Sequence, residues 1–131
     1  MSASQPSLRV LVVDDSVDNA EMLAELISAL GHEVRVAHLA ASALELLDEA
    51  PADLVFLDLG LPDADGLSVA RRVRTRFGRA IRIVALTGWS GVEERAQAVE
   101  AGCDLFVVKP LKLDQLRELL AHRGSAEESA S

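Results

Sequence analysis

Apolar and polar positions along this chain follow two rhythms. Short, β-branched apolar runs occur at 8–13 (LRVLVV), 33–37 (EVRVA), 53–57 (DLVFL), 81–86 (IRIVAL) and 104–108 (DLFVV). All but EVRVA are nearly continuous in hydrophobicity. Strands covered on both faces look like that, which predicts a parallel sheet. Between the runs the spacing lengthens to a helical period. In 17–30, Ala20, Leu23, Ala24, Ile27 and Leu30 share one face, and Gly31 follows as a C-terminal stop. In 40–49, Ala40, Ala43, Leu44 and Leu47 repeat the pattern, and Pro51 prevents continuation. Further helices are predicted over 66–77, 91–101 and 112–122, closed by Gly78, Gly102 and Gly124.

Strands alternating with helices through short gaps imply right-handed βαβ units in a single α/β domain with helices on both faces. That domain is expected over 8–122, with disordered ends at 1–7 and 123–131. There is no internal repeat. In such a sheet, ligands bind outside the carboxyl ends of the strands. Asp14 and Asp15 follow the first run, Asp58 the third, Thr87 the fourth, and Lys109 with Pro110 the fifth. The second ends at His38 without notable chemistry. Asp14 taken alone could cap the following helix. Ser16 and Asp18 suit that role better, and a cap does not need three converging carboxylates.

The stretches VLVVDDS, LVFLDLGLPDADGL, IVALTG and DLFVVKP, in that order and each at a strand end, resemble a bacterial two-component response-regulator receiver domain over residues 8–122. The resemblance implies a doubly wound, flavodoxin-like (βα)5 fold with strand order 2-1-3-4-5. It makes Asp58 the acceptor of a phosphoryl group and Phe106 the aromatic partner of Thr87 in a switch. It also makes the Lys109–Pro110 bond cis. Three carboxylates at one site repel, and a bound dication relieves this; Mg²⁺ favours hard oxygens, one or two carboxylates and phosphate oxygens. Asp15 and Asp58 would be direct ligands of Mg²⁺ (with Mn²⁺ able to substitute), and Asp14 would act directly or through water. The family adds a backbone carbonyl at the position of Gly60. A carboxylate is a recognised covalent acceptor. Lys109 would counter charge developing on the phosphoryl oxygens, and the Thr87 hydroxyl would donate to one of them. Added phosphate charge would draw Thr87 inward and open space for Phe106. The readout face would be 91–122.

The implied partners are a histidine kinase or histidine phosphotransfer protein, an unknown downstream protein, and a phosphorylation-dependent dimer through the 91–122 face. The wording of LDLGLP and ALTGWS resembles receivers of hybrid sensor kinases, so a phosphate sink or a receiver portion of such a kinase is the alternative. The chain is expected to be a signalling module rather than an enzyme. An aspartyl-phosphate phosphatase typically carries a second aspartate two residues after its nucleophile, and here that position is Gly60. A flavin or nucleotide binder on the same topology would need a phosphate loop rich in Gly, Ser or Thr after the first strand.

Charge and cysteine content narrow the setting. The net charge is −8 with 21 acidic residues, which disfavours a nucleic-acid backbone or an anionic membrane as partner. The single cysteine, Cys103, cannot form an internal disulfide and reads as a small buried hydrophobe. No run is long and apolar enough for a membrane span, and MSASQPS lacks the features of a signal peptide. A cytoplasmic location follows as an expectation. Arg71, Arg72, Arg74, Arg76, Arg79 and Arg82 form a basic run. Its plain reading is a solvated helix face, and the sharper one is a docking patch. Asp63 and Asp65 fit turn chemistry. Trp89 could roof the path of water toward Asp58 opposite Gly60, which would slow phosphate loss.

Overall fold

A computed structural model of the chain describes residues 7–61, 65–88 and 92–121. Its strands are β1 (Arg9–Val13), β2 (Glu33–Ala37), β3 (Leu54–Asp58), β4 (Arg82–Thr87) and β5 (Leu105–Val108). Its helices are α1 (Val17–Ala29), α2 (Ala40–Glu49), α3 (Gly66–Phe77), α4 (Val92–Ala101) and α5 (Leu113–Ala121), with a 3-10 turn at Gly78–Ala80. All neighbouring strands are parallel, in the order β2-β1-β3-β4-β5. This is the flavodoxin-like (βα)5 arrangement.

The sheet separates two apolar layers. On one face Leu11, Val13, Val55, Leu57, Ile83 and Ala85 meet residues of α2, α3 and α4. On the other, Val10, Val12, Leu54, Phe56, Val84 and Leu86 meet Ala20 and Ile27 of α1 and Leu116, Leu119 and Leu120 of α5. Side chains alternate along a strand, so a continuous apolar run fills both layers. That holds for β1, β3 and β4. β5 reads as equally apolar, yet all four of its residues are only partly buried, because it is an edge strand and α4 covers it sparsely. β2, the other edge, carries Arg35, whose Nη1 and Nη2 donate to the Leu46 and Ala50 carbonyls at 2.8 and 2.6 Å. Arg35 thus ties the edge strand to the last turn of α2, where the Leu46 carbonyl also accepts the Ala50 N–H at 3.1 Å.

Sequence chemistry also sets the helix starts. The Ser16 Oγ accepts the Asn19 N–H at 3.3 Å and caps α1. Asp65 caps α3 by accepting the Leu67 N–H at 3.0 Å. Gly66 is needed where it stands, since a Cβ there would lie 2.6 Å from the Leu59 Cα and 2.9 Å from the Asp58 carbonyl oxygen. The start of α3 is thus pressed against the backbone that carries Asp58.

The basic run requires a correction. Arg74 is not a solvated residue: its side chain is 13% exposed. Its Nε donates to the Gly102 carbonyl at 2.8 Å, and its Nη1 to the Gly78 and Ile81 carbonyls at 2.8 and 2.5 Å. Its Nη2 pairs with Asp104 at 2.5 Å. One guanidinium therefore joins the end of α3, the entry to β4 and the α4–β5 turn. The turn fits around it, because Gly102 has φ +106° and a Cβ there would meet the Arg74 Cγ at 2.6 Å. Arg76 pairs with Asp48 of α2, and Arg79 lies 3.6 Å from Asp104. Arg71 and Arg72 are exposed. Cys103 is buried, and burial pushes its thiol up to about 11, which leaves it protonated and unreactive at neutral pH.

Candidate functional site

The parallel topology brings Asp14, Asp15, Asp58, Thr87 and Lys109 to the carboxyl edge of the three central strands and β5. Asp58 and Thr87 are the last residues of β3 and β4, one position earlier relative to the strand ends than the apolar runs suggest. Asp14 (5% exposed), Asp58 (8%) and Thr87 (7%) are the buried polar residues at this edge, while Asp15 is exposed. By strand alternation Asp14, Asp58 and Lys109 continue the α1/α5 face. Thr87 continues the opposite face, toward α3 and α4.

The carboxylates are held by short local bonds. The Asp14 Oδ1 accepts the Ser16 N–H at 2.9 Å, and the Asp58 Oδ1 accepts the Gly60 N–H at 3.0 Å. The Lys109 Nζ lies 3.2 Å from the Asp58 Oδ2 and 3.4 Å from the Asp14 Oδ2. The Lys109–Pro110 peptide bond is cis. His38 needs revision, since its Nδ1 sits 3.0 Å from the Asp14 carbonyl oxygen. The second strand therefore also contributes a contact to this edge. Trp89 and Asp63 lie outside the described residues.

The electrostatics are frustrated without a cation. Burial, together with the bond to Asp58, raises the Asp14 carboxyl above the ordinary range, against the Ser16 N–H and Lys109, which lower it. Burial disfavours the Lys109 ammonium, but Asp58 and Asp14 outweigh that and its pKa is raised. Lys109 thus stays charged, yet three carboxylates face one ammonium. One carboxylate oxygen from each of Asp14, Asp15 and Asp58 can be chosen so that all lie within 4.8 Å of one another. Oxygen ligands of one hard dication sit about 2.0 to 2.6 Å from it, so their separations reach roughly 4 to 5 Å. The cluster fits a divalent-metal site in both charge and span.

Beside this cluster a groove of about 620 Å³ is lined by Asp58, Gly60, Asp65, Thr87, Glu94 and Gln97, among others. It opens toward α4. An apolar hollow of about 240 Å³ on the other side runs from Asp14, Lys109 and Pro110 to Met22, Leu23 and Leu26 of α1.

Residues 10–121 match the family model of the response regulator receiver domain. The chain belongs to that family. A phospho-accepting switch is the role typical of these receivers, which are themselves phosphorylated rather than being classical enzymes. The aspartate cluster supports this role here. The response regulator MprA of Mycobacterium bovis is 35% identical over 127 residues, covering 95% of this chain and 55% of that protein. The sensor histidine kinase RcsC of Salmonella typhi is 32% identical over 118 residues, covering 90% of this chain and 12% of that protein. This receiver thus spans about half or less of these relatives. A crystal structure of a response regulator from Burkholderia pseudomallei, with a phosphorylated aspartic acid, calcium ion and citrate, is 29% identical. It matches with a TM-score of 0.81 over 93% of this chain and 71% of its own. No helix among the described residues is long and apolar enough to cross a membrane.

Proposed function

We propose that Asp58 accepts a phosphoryl group, and that Asp14, Asp15, Asp58 and the Gly60 carbonyl hold the Mg²⁺ that makes this acceptance favourable. The observation that carries the reading is the surroundings of Asp58: a buried carboxylate at the tip of β3, 3.2 Å from the Lys109 ammonium and clustered with two further carboxylates within 4.8 Å. An Asp58 oxygen attacks phosphorus, the O–P bond forms, and the bond from phosphorus to the donor's imidazole nitrogen or acyl oxygen breaks. Lys109 holds charge beside the oxygens of the arriving group, and Thr87 offers its hydroxyl from the opposite side. Mg²⁺ (or Mn²⁺) supplies positive charge that offsets the carboxylates and the phosphoryl oxygens. The phosphorylated aspartate and divalent cation of the Burkholderia relative support the same chemistry here.

The donor is a histidine kinase or a histidine phosphotransfer protein, a reading supported by similarity to RcsC. Output passes by protein contact, by relay, or through a phosphorylation-dependent dimer on the α4–β5–α5 face. Phe106 beside α4 serves as the switch aromatic of Thr87. The protein works in the cytoplasm, in keeping with its lone, buried cysteine.

Incubation with Mg²⁺ and acetyl phosphate, followed by intact-protein mass measurement, tests this. One added phosphoryl group is expected for the wild type and none for Asp58→Asn. An unmodified wild type would overturn the assignment.

A further inference from the structure

β5 and α4 meet with little apolar cover. The described side chains that α4 buries are two alanines, Ala98 and Ala101, while Val99 is 64% exposed. Beneath it, every residue of β5 is only partly buried. Among the described side chains, a charge over a ring adds to this cover. The Arg95 guanidinium lies 5.1 Å from the centroid of Phe106. Arg95 is exposed, and the α4 residues three and four positions away from it are Val92, Ala98 and Val99. None of these can pair with it as an acid would. The cation is therefore directed to the aromatic face, where the ring quadrupole attracts it.

Phe106 occupies the position that links α4 to the site. It pairs in register with Ala85, and the next pair toward the same-face edge sets Val108 beside Thr87. Ala85 and Thr87 are two apart on β4, so Phe106 shares a sheet face with the Thr87 side chain. Phe106 packs against the core of that face, which includes Ile83, Ala85, Ala98 and Ala101. The ring carries no hydroxyl, so hydrogen bonding from it cannot fix its place.

We propose that Arg95 is a positioning residue: it clasps Phe106 in the phosphate-free protein, holds α4 on β5, and so sets how readily α4 responds when Asp58 gains charge. The last part rests on the assignment of Asp58 as phosphoacceptor. A single exposed cation–π contact changes an equilibrium by about two- to five-fold. An effect of that size suits a clasp that must open in response to one modification. Lys keeps the charge but lacks the planar guanidinium that lies flat on a ring, so Arg95→Lys is expected to retain part of the effect.

The test is a double-mutant cycle read by amide hydrogen exchange of residues 92–101, without Mg²⁺ or phosphodonor. Arg95→Gln and Phe106→Leu are each expected to speed exchange about two- to five-fold, with Arg95→Lys between wild type and Gln. Adding Arg95→Gln to Phe106→Leu is expected to change nothing further. Wild-type exchange in Arg95→Gln, or a full extra effect in the double variant, would overturn the clasp. The companion measurement follows adduct formation with Mg²⁺ and acetyl phosphate by mass. Arg95→Gln is expected to form the adduct about two- to five-fold faster, and an unchanged rate would overturn its link to the response. If wild type and variants alike gain no phosphoryl group, the assignment of Asp58 falls, while the exchange cycle still decides the clasp.

Discussion

α3 and α4 lie side by side on one face of the sheet and are held to it by different means. α3 buries Val69, Ala70 and Val73 and is joined to three neighbouring segments through Arg74. Each buried valine contributes roughly 1.5–3 kcal/mol of transfer free energy. α4 buries two alanines among its described side chains, and a methyl group contributes about 0.8 kcal/mol. Arg95 over Phe106 adds a contact to β5, and Arg74 of α3 reaches the Gly102 carbonyl just past the end of α4. Gly66 presses the start of α3 onto the Asp58 backbone, whereas Glu94 and Gln97 of α4 line the open groove beside Asp58. The contrast separates a fixed frame from a loosely held element: α3 presses on the backbone that carries Asp58, and α4 borders the open groove beside it.

The contrast can be broken from the α3 side first. Arg74→Ala takes the shared donor from the Gly78, Ile81 and Gly102 carbonyls, while Asp104 keeps Arg79 and the Ile83 N–H; it is expected to lower stability by about 3–5 kcal/mol, measured by urea unfolding. Arg74→Lys is expected to recover little, since one ammonium cannot reproduce the planar fork. Gly66→Ala is next, at about 1–3 kcal/mol. It should also slow phosphorylation by acetyl phosphate, because the clash falls on the Asp58–Leu59 backbone; stability with unchanged phosphorylation would contradict that placement.

A pH series addresses the site between the helices. The Asp14 carboxyl is raised in the folded protein, chiefly by burial and by Asp58. In metal-free protein its contribution to stability is therefore full below the unfolded value of 3.8 and is lost as pH rises through the folded value. Asp14→Asn should flatten that slope, raise the neutral-pH Tm without metal, and shrink the gain in Tm that Mg²⁺ gives the wild type. The smallest effect is expected on α4: Val99→Ala should change stability by less than about 0.5 kcal/mol, against more than about 1 kcal/mol for Val73→Ala.

Much of this was legible in the chain itself. The continuous apolar runs gave the parallel sheet because β1, β3 and β4 are covered on both faces. The strand-end residues converge because parallel strands share one carboxyl edge. Among the described residues the helix bounds came within a residue, since Ser16, Gly31, Pro51 and Gly78 carry local stop and start chemistry. What was hidden depends on long-range contact. Arg74 looked like its neighbours in a basic run, and only the packing of α3 against the α4–β5 turn distinguishes it. Gly102 and Asp104, 28 and 30 positions later, were its sole trace. Arg95 over Phe106 and His38 at the Asp14 carbonyl carry no motif at all. The partial exposure of β5 was masked by its apolar composition, because edge position is a property of the sheet and not of the strand.

The most direct test compares amide exchange of α3 (66–77) and α4 (92–101) in the same sample before and after phosphorylation with Mg²⁺ and acetyl phosphate, with Asp58→Asn as control. Exchange in α4 is expected to change while α3 stays as it was, and neither should change in Asp58→Asn. Equal changes in the two helices, or a response that survives in Asp58→Asn, would contradict the account.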